Sequence, residues 1–121
     1  MLGRLTAFDI EAPGVLAPPP TPFSPGRVVC TLPGHQMCDS LAVEADGSVC
    51  VATMDFLSGA TGITRMLGDG TTEFHALAGA ITTNICFGDD DLRGAWITCG
   101  GSGELFHARW PRPGLALNFN R

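Results

Sequence analysis

The sequence predicts an all-β fold of short antiparallel strands joined by tight turns. Stretches such as SVCVATM and GAWITC alternate apolar and other side chains with the two-residue period of a half-buried strand. Asp46-Gly47 and Asp69-Gly70 separate such stretches, and Asp-Gly is a strong signal for a hairpin turn. No segment is convincing as a helix, and 16 glycines with 9 prolines are typical of a turn-rich chain.

The predicted strands follow one another in pairs along the chain. The first lies in RLTAFDI, and the connector after it has six prolines between residues 13 and 25. Because proline cannot donate to a β-ladder, we expect this connector to be a surface loop. The later strands are predicted in GRVVCTL, SLAVEA, SVCVATM, GITRML, TEFHAL, TNICFG, GAWITC and GELFHARW. The tail PRPGLALNFNR is expected to be irregular or to add one edge strand.

An internal repeat groups these strands into larger units. DSLAVEADGSVCVAT aligns with TNICFGDDDLRGAWITC, so that Leu41 matches Ile85 and Val51 matches Ile97. A period of about 45 residues with four short strands per copy is the signature of β-propeller blades. Since closed propellers have about four to eight blades, the 121 residues predict a segment of two to three four-stranded blades. We expect residues 1–10 to end one blade, residues 27–78 to form a full blade and residues 81–121 most of the next.

Composition and charge disfavour several classes of protein. A net charge of −5 without a basic stripe argues against nucleic-acid binding. No apolar run approaches the roughly 18 residues of a transmembrane helix. The first residues lack the basic, apolar and small-residue segments of a signal peptide. We therefore expect a cytoplasmic protein without a membrane partner. Five cysteines without a C-x-x-C pair do not indicate a zinc ribbon, and we expect them to be reduced and structural.

Several segments together resemble the senescence marker protein/gluconolactonase/luciferin-regenerating-enzyme family. They are GRLTAFDI, LPGHQMCDSLAVEADGSVCVATM, GITRML, TNICFG and RWPRPGLALNF, and their order covers nearly the whole chain. The resemblance implies the C-terminal portion of a regucalcin-like six-bladed β-propeller. It also implies one divalent metal, calcium or zinc, on the central axis, and hydrolysis of lactones such as sugar lactones.

The resemblance further implies that Asp39 is a metal ligand and the general base. The family holds its metal with a Glu, an Asn and an Asp that precedes an inner strand, and this Asp corresponds to Asp39 within Cys38-Asp39-Ser40. Oxygen ligands suit a hard dication, and a carboxylate beside it can take the proton of an attacking water. From the residues alone, an Asp before a strand is more typical of a turn or cap.

The other two family ligands belong to earlier blades and have no counterpart in these 121 residues. One ligand of three predicts weak cation binding and slow lactone hydrolysis by this chain on its own. Two alternatives therefore stay open, a truncated non-catalytic propeller fragment and a calcium-binding module. We also expect either a longer propeller or self-association to cover the exposed blade faces, because open sheet edges favour aggregation.

Three further residues are candidates for substrate contacts. The repeat places Thr83 where Asp39 stands in its own blade, and Asn84 follows it. His35 precedes Asp39 by four residues and is a candidate for the channel mouth. For each of them the common alternative is an ordinary turn, strand or surface role. Asp89–Asp91 lack the spacing of an EF-hand and predict a hairpin turn.

Overall fold

A computed structural model describes residues 3–119, which form eleven strands. The strands are β1 (Arg4–Ala7), β2 (Ile10–Ala12), β3 (Val15–Leu16), β4 (Arg27–Thr31), β5 (Gln36–Val43), β6 (Val49–Asp55), β7 (Thr61–Met66), β8 (Thr72–Ala76), β9 (Thr82–Gly88), β10 (Gly94–Cys99) and β11 (Glu104–Arg109). All of their pairings are antiparallel. No helix able to cross a membrane occurs between residues 3 and 119.

Two of the four sheets are successive propeller blades. The central blade is the four-stranded meander β5-β6-β7-β8, and the C-terminal blade is the three-stranded meander β9-β10-β11. Their registers reproduce the sequence repeat, because Leu41 pairs with Val51 as Ile85 pairs with Ile97. The all-β propeller-segment fold predicted from the sequence is therefore confirmed.

Strand β4 differs from the sequence prediction, which began the full blade at residue 27. β4 pairs with β1 in a separate two-stranded sheet, and the central blade begins at Gln36. The connector between β1 and β4 is long enough to bring β4 back antiparallel to β1, and Gly34, at φ +67°, lies in the turn that leads into β5. The ends of the predicted outer blades, residues 1–2 and 120–121, lie outside the described residues.

The conformations of the connector and of the turns are explained by the residues that they contain. The Pro-rich connector is mostly exposed, as predicted, although it begins with the short hairpin β2–β3. Asp46-Gly47 and Asp69-Gly70 form the predicted turns, with Gly47 at φ +87° and Gly70 at φ +88°. Only glycine adopts these angles without strain, so the two Asp-Gly pairs fix where β6 and β8 begin.

The central blade packs against neighbours on both faces. One core lies between it and the C-terminal blade and contains Cys50, Ala52, Ile63, Ile85, Phe87, Ala95, Ile97 and Trp110. A second core joins it to the β1–β4 sheet and contains Cys30, Leu32, Val51 and Met66. Because successive side chains of a strand point to opposite faces, β6 supplies both cores from neighbouring positions.

Residues 110–117, here called the tail, fold back across both blades. The Trp110 N–H donates to the Arg93 carbonyl at 2.7 Å, and the Gly114 N–H donates to the Leu92 carbonyl at 2.8 Å. The Leu115 N–H donates to the Val43 carbonyl at 2.8 Å, next to an isolated bridge at Gly114. A side chain at Gly114 would collide with the Phe87 ring, so glycine is needed for this close approach. The tail is otherwise irregular, one of the two predicted forms.

Candidate functional site

Asp39 lies in a β-bulge on the first strand of the central blade. The pairing of β5 with β6 steps from Cys38–Thr53 to Leu41–Val51, so Asp39 and Ser40 together face one residue of β6. A bulge breaks the regular ladder and re-aims side chains, and bulges are frequent beside active sites. The Asp39 carboxylate is exposed and accepts a long hydrogen bond of 3.5 Å from the Ser40 hydroxyl. The fold therefore presents this carboxylate to solvent.

The same bulge recurs in the C-terminal blade at Thr83 and Asn84. The pairing of β9 with β10 steps from Asn84–Thr98 to Thr82–Cys99 and leaves Thr83 without a pair in the ladder. The Thr83 hydroxyl lies 2.9 Å from that of Thr98, and Asn84 Oδ1 accepts the Ile85 N–H at 2.8 Å. Thr83 thus occupies in its blade the position that Asp39 occupies in the central blade.

A concave apolar surface, here called the inner-strand cleft, lies between the first strands of the two blades. It is lined by Leu41–Val43 of β5, by Asn84–Phe87 of β9 and by Leu115 and Leu117 of the tail, with a volume of about 520 Å³. Asp39 precedes Leu41 by two positions, about 7 Å along a strand, and stands beyond the cleft lining. The structure therefore places Asn84 in the lining of the cleft and Asp39 outside the lining, two positions before Leu41.

His35 lies in the exposed turn before β5. The pKa of Asp55 is lowered, chiefly because the Leu57 N–H donates to it and in smaller part because of the charge of His35. Gln36, the residue after His35, pairs with Asp55 across the ladder, so His35 lies near the end of the β5–β6 pair that contains Asp55. The proposed role of His35 at the channel mouth stays a prediction, as do those of Thr83 and Asn84.

The acidic residues Asp89–Asp91 form the predicted hairpin tip between β9 and β10. Asp91 forms an ion pair with Arg109, and this side-chain hydrogen bond is the main reason that the pKa of Asp91 is lowered. Asp89 Oδ2 lies 3.4 Å from Nε2 of His107. The carboxylates of Asp89 and Asp91 are thus engaged with β11.

Residues 3–119 do not assemble a complete metal centre. In this part of the chain no group of three or more His, Cys, Asp and Glu side chains is placed to hold a metal ion. Calcium takes about six to eight oxygen ligands and zinc about four ligands in all. A single exposed carboxylate at Asp39 cannot provide such a set, so the described residues fit at most one position of the site.

The sequence did not reveal a buried polar network around Glu44. Glu44 is fully buried and accepts hydrogen bonds from Arg65 Nε at 2.6 Å and from Trp110 Nε1 at 2.7 Å. Arg65 is only 3% exposed and also donates to Asp46 at 2.6 Å and to Ser48 at 2.9 Å. These charges are paired and hydrogen-bonded, which indicates a structural role. The sequence feature that could have indicated this network is Arg65, an arginine inside the apolar strand GITRML.

This network also changes the acidity of its neighbours. Burial and the nearby Glu44 charge raise the pKa of the Cys50 thiol far above its ordinary value of 9.0. The pKa of Asp46 is lowered, chiefly because the Ser48 N–H donates to its carboxylate. Cys50 is thus a protonated core residue, and Asp46 favours its charged form in the folded chain.

The family comparison agrees with the fold. Residues 3–101 match the family model for the SMP-30/Gluconolactonase/LRE-like region. No curated protein matches the chain significantly. The matched range is most of the chain and includes the central blade and both bulges. The chain therefore belongs to the SMP-30/gluconolactonase/LRE-like family.

Proposed function

We propose that this chain is part of a metal-dependent lactone hydrolase, and that Asp39 supplies a carboxylate to its reaction centre. The observation that carries the proposal is the exposed Asp39 carboxylate in a bulge of the first strand of a blade. Membership of a family whose name includes gluconolactonase supports the reaction class. Calcium or zinc is the proposed metal, and its other ligands come from outside the described residues.

The chemistry assigned to Asp39 suits a cyclic ester. Hydrolysis of a lactone requires a water to attack the ring carbonyl and to lose a proton as it does so. The Asp39 carboxylate is exposed and only weakly hydrogen-bonded by Ser40, so it is available to accept that proton. Asn84, on the neighbouring blade, is proposed as a substrate contact, with Thr83 and His35 as further candidates.

Titration of released acid tests the proposal directly. Hydrolysis of glucono-δ-lactone is followed at constant pH with calcium, with zinc and with a chelator, and the spontaneous rate is subtracted. We expect slow hydrolysis that requires the metal, and Asp39→Asn should reduce it by about 100-fold, within the usual range for loss of a general base. Asp90→Asn is the matched control, because Asp90 is an exposed aspartate at the β9–β10 hairpin tip. Equal rates for Asp39→Asn and the unmodified chain would show that Asp39 has no part in the reaction.

A second candidate function is a propeller segment without catalysis. It is favoured by the lack of any cluster of three potential metal-binding side chains within residues 3–119. Calcium binding that depends on Asp39, without metal-dependent hydrolysis, would identify a calcium-binding module. If neither binding nor hydrolysis is observed, the segment acts through folding and association alone.

A further inference from the structure

We infer that the inner-strand cleft binds the alkyl substituent of a lactone, and that the substrate is an alkyl-substituted lactone in preference to a polyhydroxylated sugar lactone. This inference rests on the proposed function, because it names the substrate class of the same site. It draws on the composition, size and position of the cleft.

The cleft has the composition of a site for an apolar group. Among the described lining residues, Asn84 has the one amide side chain and Cys86 a weakly polar thiol, and the others on β5, β9 and the tail are apolar. Leu41 and Leu117 are 48% and 55% exposed, so an apolar ligand would remove a large part of their surface from water. A volume of about 520 Å³ lies within the usual range for small-molecule sites, which are mostly apolar with a few polar groups that fix orientation.

A sugar lactone would fit this surface poorly. Its ring carries several hydroxyl groups, and each hydroxyl that enters the cleft loses hydrogen bonds to water. Asn84 is the one strong hydrogen-bonding side chain among the described lining residues, since the Cys86 thiol is only a weak donor, and Asn84 Oδ1 already accepts the Ile85 N–H at 2.8 Å. Unpaired buried hydroxyls oppose binding, so the cleft selects against polyhydroxylated ligands.

The cleft also begins where the proposed chemistry takes place. Leu41 directly follows the bulge of Asp39 and Ser40, and Asn84 belongs to the equivalent bulge of β9. A lactone ring beside these bulges would direct its substituent along β5 and β9 towards Leu115 and Leu117 of the tail. The stretch Asn84–Phe87 is about 10 Å long, which corresponds to an alkyl chain of about six to eight carbons.

Calorimetric titration with γ-lactones that carry ethyl, butyl, hexyl or octyl chains tests this inference. We expect the affinity to rise about fourfold with each added methylene until the cleft is filled, as burial of a CH₂ group predicts. The heat capacity change should be negative, since apolar surface is buried. Glucono-δ-lactone should bind at least about 100-fold more weakly than the octyl compound.

Matched variants assign the binding to the cleft. Leu41→Asp should weaken binding of the octyl lactone at least about 10-fold, because it places a charge beside the alkyl chain. Leu117→Asp should have the same effect, and Leu117 lies in the irregular tail, outside the eleven strands. Leu57→Asp is the control, since Leu57 is 75% exposed in the turn between β6 and β7 and is not a lining residue. A thermal melt confirms that each variant is folded.

The outcomes separate this inference from the proposed function. Chain-length-dependent binding that is lost in both cleft variants supports the inference, whether or not the lactone is hydrolysed. Metal-dependent hydrolysis without any effect of chain length leaves the proposed function intact and overturns the inference. Equal affinity for the octyl and sugar lactones, or equal effects of Leu41→Asp and Leu57→Asp, also overturns it.

Discussion

The indole Nε1–H of Trp110 donates to Oε1 of Glu44 over 2.7 Å, although the two residues are 66 positions apart in the chain. The same carboxylate accepts Arg65 Nε through its other oxygen. One buried side chain therefore joins the first strand of the central blade, its third strand and the tail. This arrangement keeps the tail across the ends of both blades, where it completes the inner-strand cleft.

Loss of the indole N–H is expected to destabilise the chain. Trp110→Phe keeps an aromatic ring against Phe87, whose centroid lies 6.1 Å away, but leaves Glu44 Oε1 without this donor. We expect the free energy of unfolding to fall by about 1–3 kcal/mol in urea denaturation. Trp96→Phe is the control, because Trp96 is 38% exposed and stacks on His107. A larger loss of unfolding free energy for Trp96→Phe than for Trp110→Phe would contradict the assigned role of the Glu44 contact.

Replacement of Arg65 is expected to lower the free energy of unfolding more than replacement of Trp110. Arg65→Met leaves the fully buried Glu44 without its cation, and breaking a buried pair in this way costs about 3–5 kcal/mol of stability. The double variant Glu44→Gln with Arg65→Met should be less destabilised than the sum of the single variants, because the two residues interact directly. Additive losses in urea denaturation would show that the pair is not coupled.

The stability conferred by the Asp46 carboxylate should depend on pH. Its pKa in the folded chain lies below the ordinary value of 3.8, chiefly because of the Ser48 N–H, so folding favours the charged form. The contribution is fully present above about pH 5 and disappears as the pH falls through the folded pKa. The stability difference between the unmodified chain and Asp46→Asn, measured from pH 7 to pH 2, should therefore shrink below pH 4. Asp90→Asn serves as the comparison, and a difference that grows towards low pH would contradict the assignment.

The cysteines should differ in their reactivity in the folded chain. Cys86 is exposed, whereas Cys30, Cys50 and Cys99 are buried, and burial raises the pKa of both Cys38 and Cys50. Because the thiolate is the reactive form, Ellman's reagent at neutral pH should modify Cys86 rapidly, Cys38 slowly and the buried three only on unfolding. Cys86→Ser should remove the fast phase. Rapid modification of Cys50 would show that the core around Glu44 opens readily.

The exposed face of the C-terminal blade is proposed to associate with another copy of the chain. One face of β10 is buried against the central blade, while Trp96 on the other face is 38% exposed and Leu105 of β11 is 61% exposed. Sedimentation over about two decades of protein concentration should show a mass that increases with concentration. Leu105→Lys should weaken this association, since it adds a charge to the edge strand. A monomer at all concentrations with a cooperative melt would contradict self-association.

Much of the fold could be predicted from local sequence patterns. The Asp-Gly turns, the alternating strands and the match of Leu41 with Ile85 depend on neighbouring residues, and each appears in the structure. The pairing of β4 with β1 could not be predicted, because the two strands lie on either side of a long connector whose path has no local signal. The site was predicted only through the family resemblance, and from the residues alone Asp39 was more typical of a turn or cap.

The sequence by itself determined the all-β fold class, the blade repeat and the family, because these depend on the side-chain period, the turn residues and the order of short motifs. Only the tertiary structure decided that Asp39 and Thr83 occupy equivalent bulges, since a bulge is a property of register between two strands. It also decided that Glu44, Arg65 and Trp110 share one buried network, and that an apolar cleft continues from the bulges. Those contacts join residues far apart in the chain, and only packing of the blades against each other brings them together.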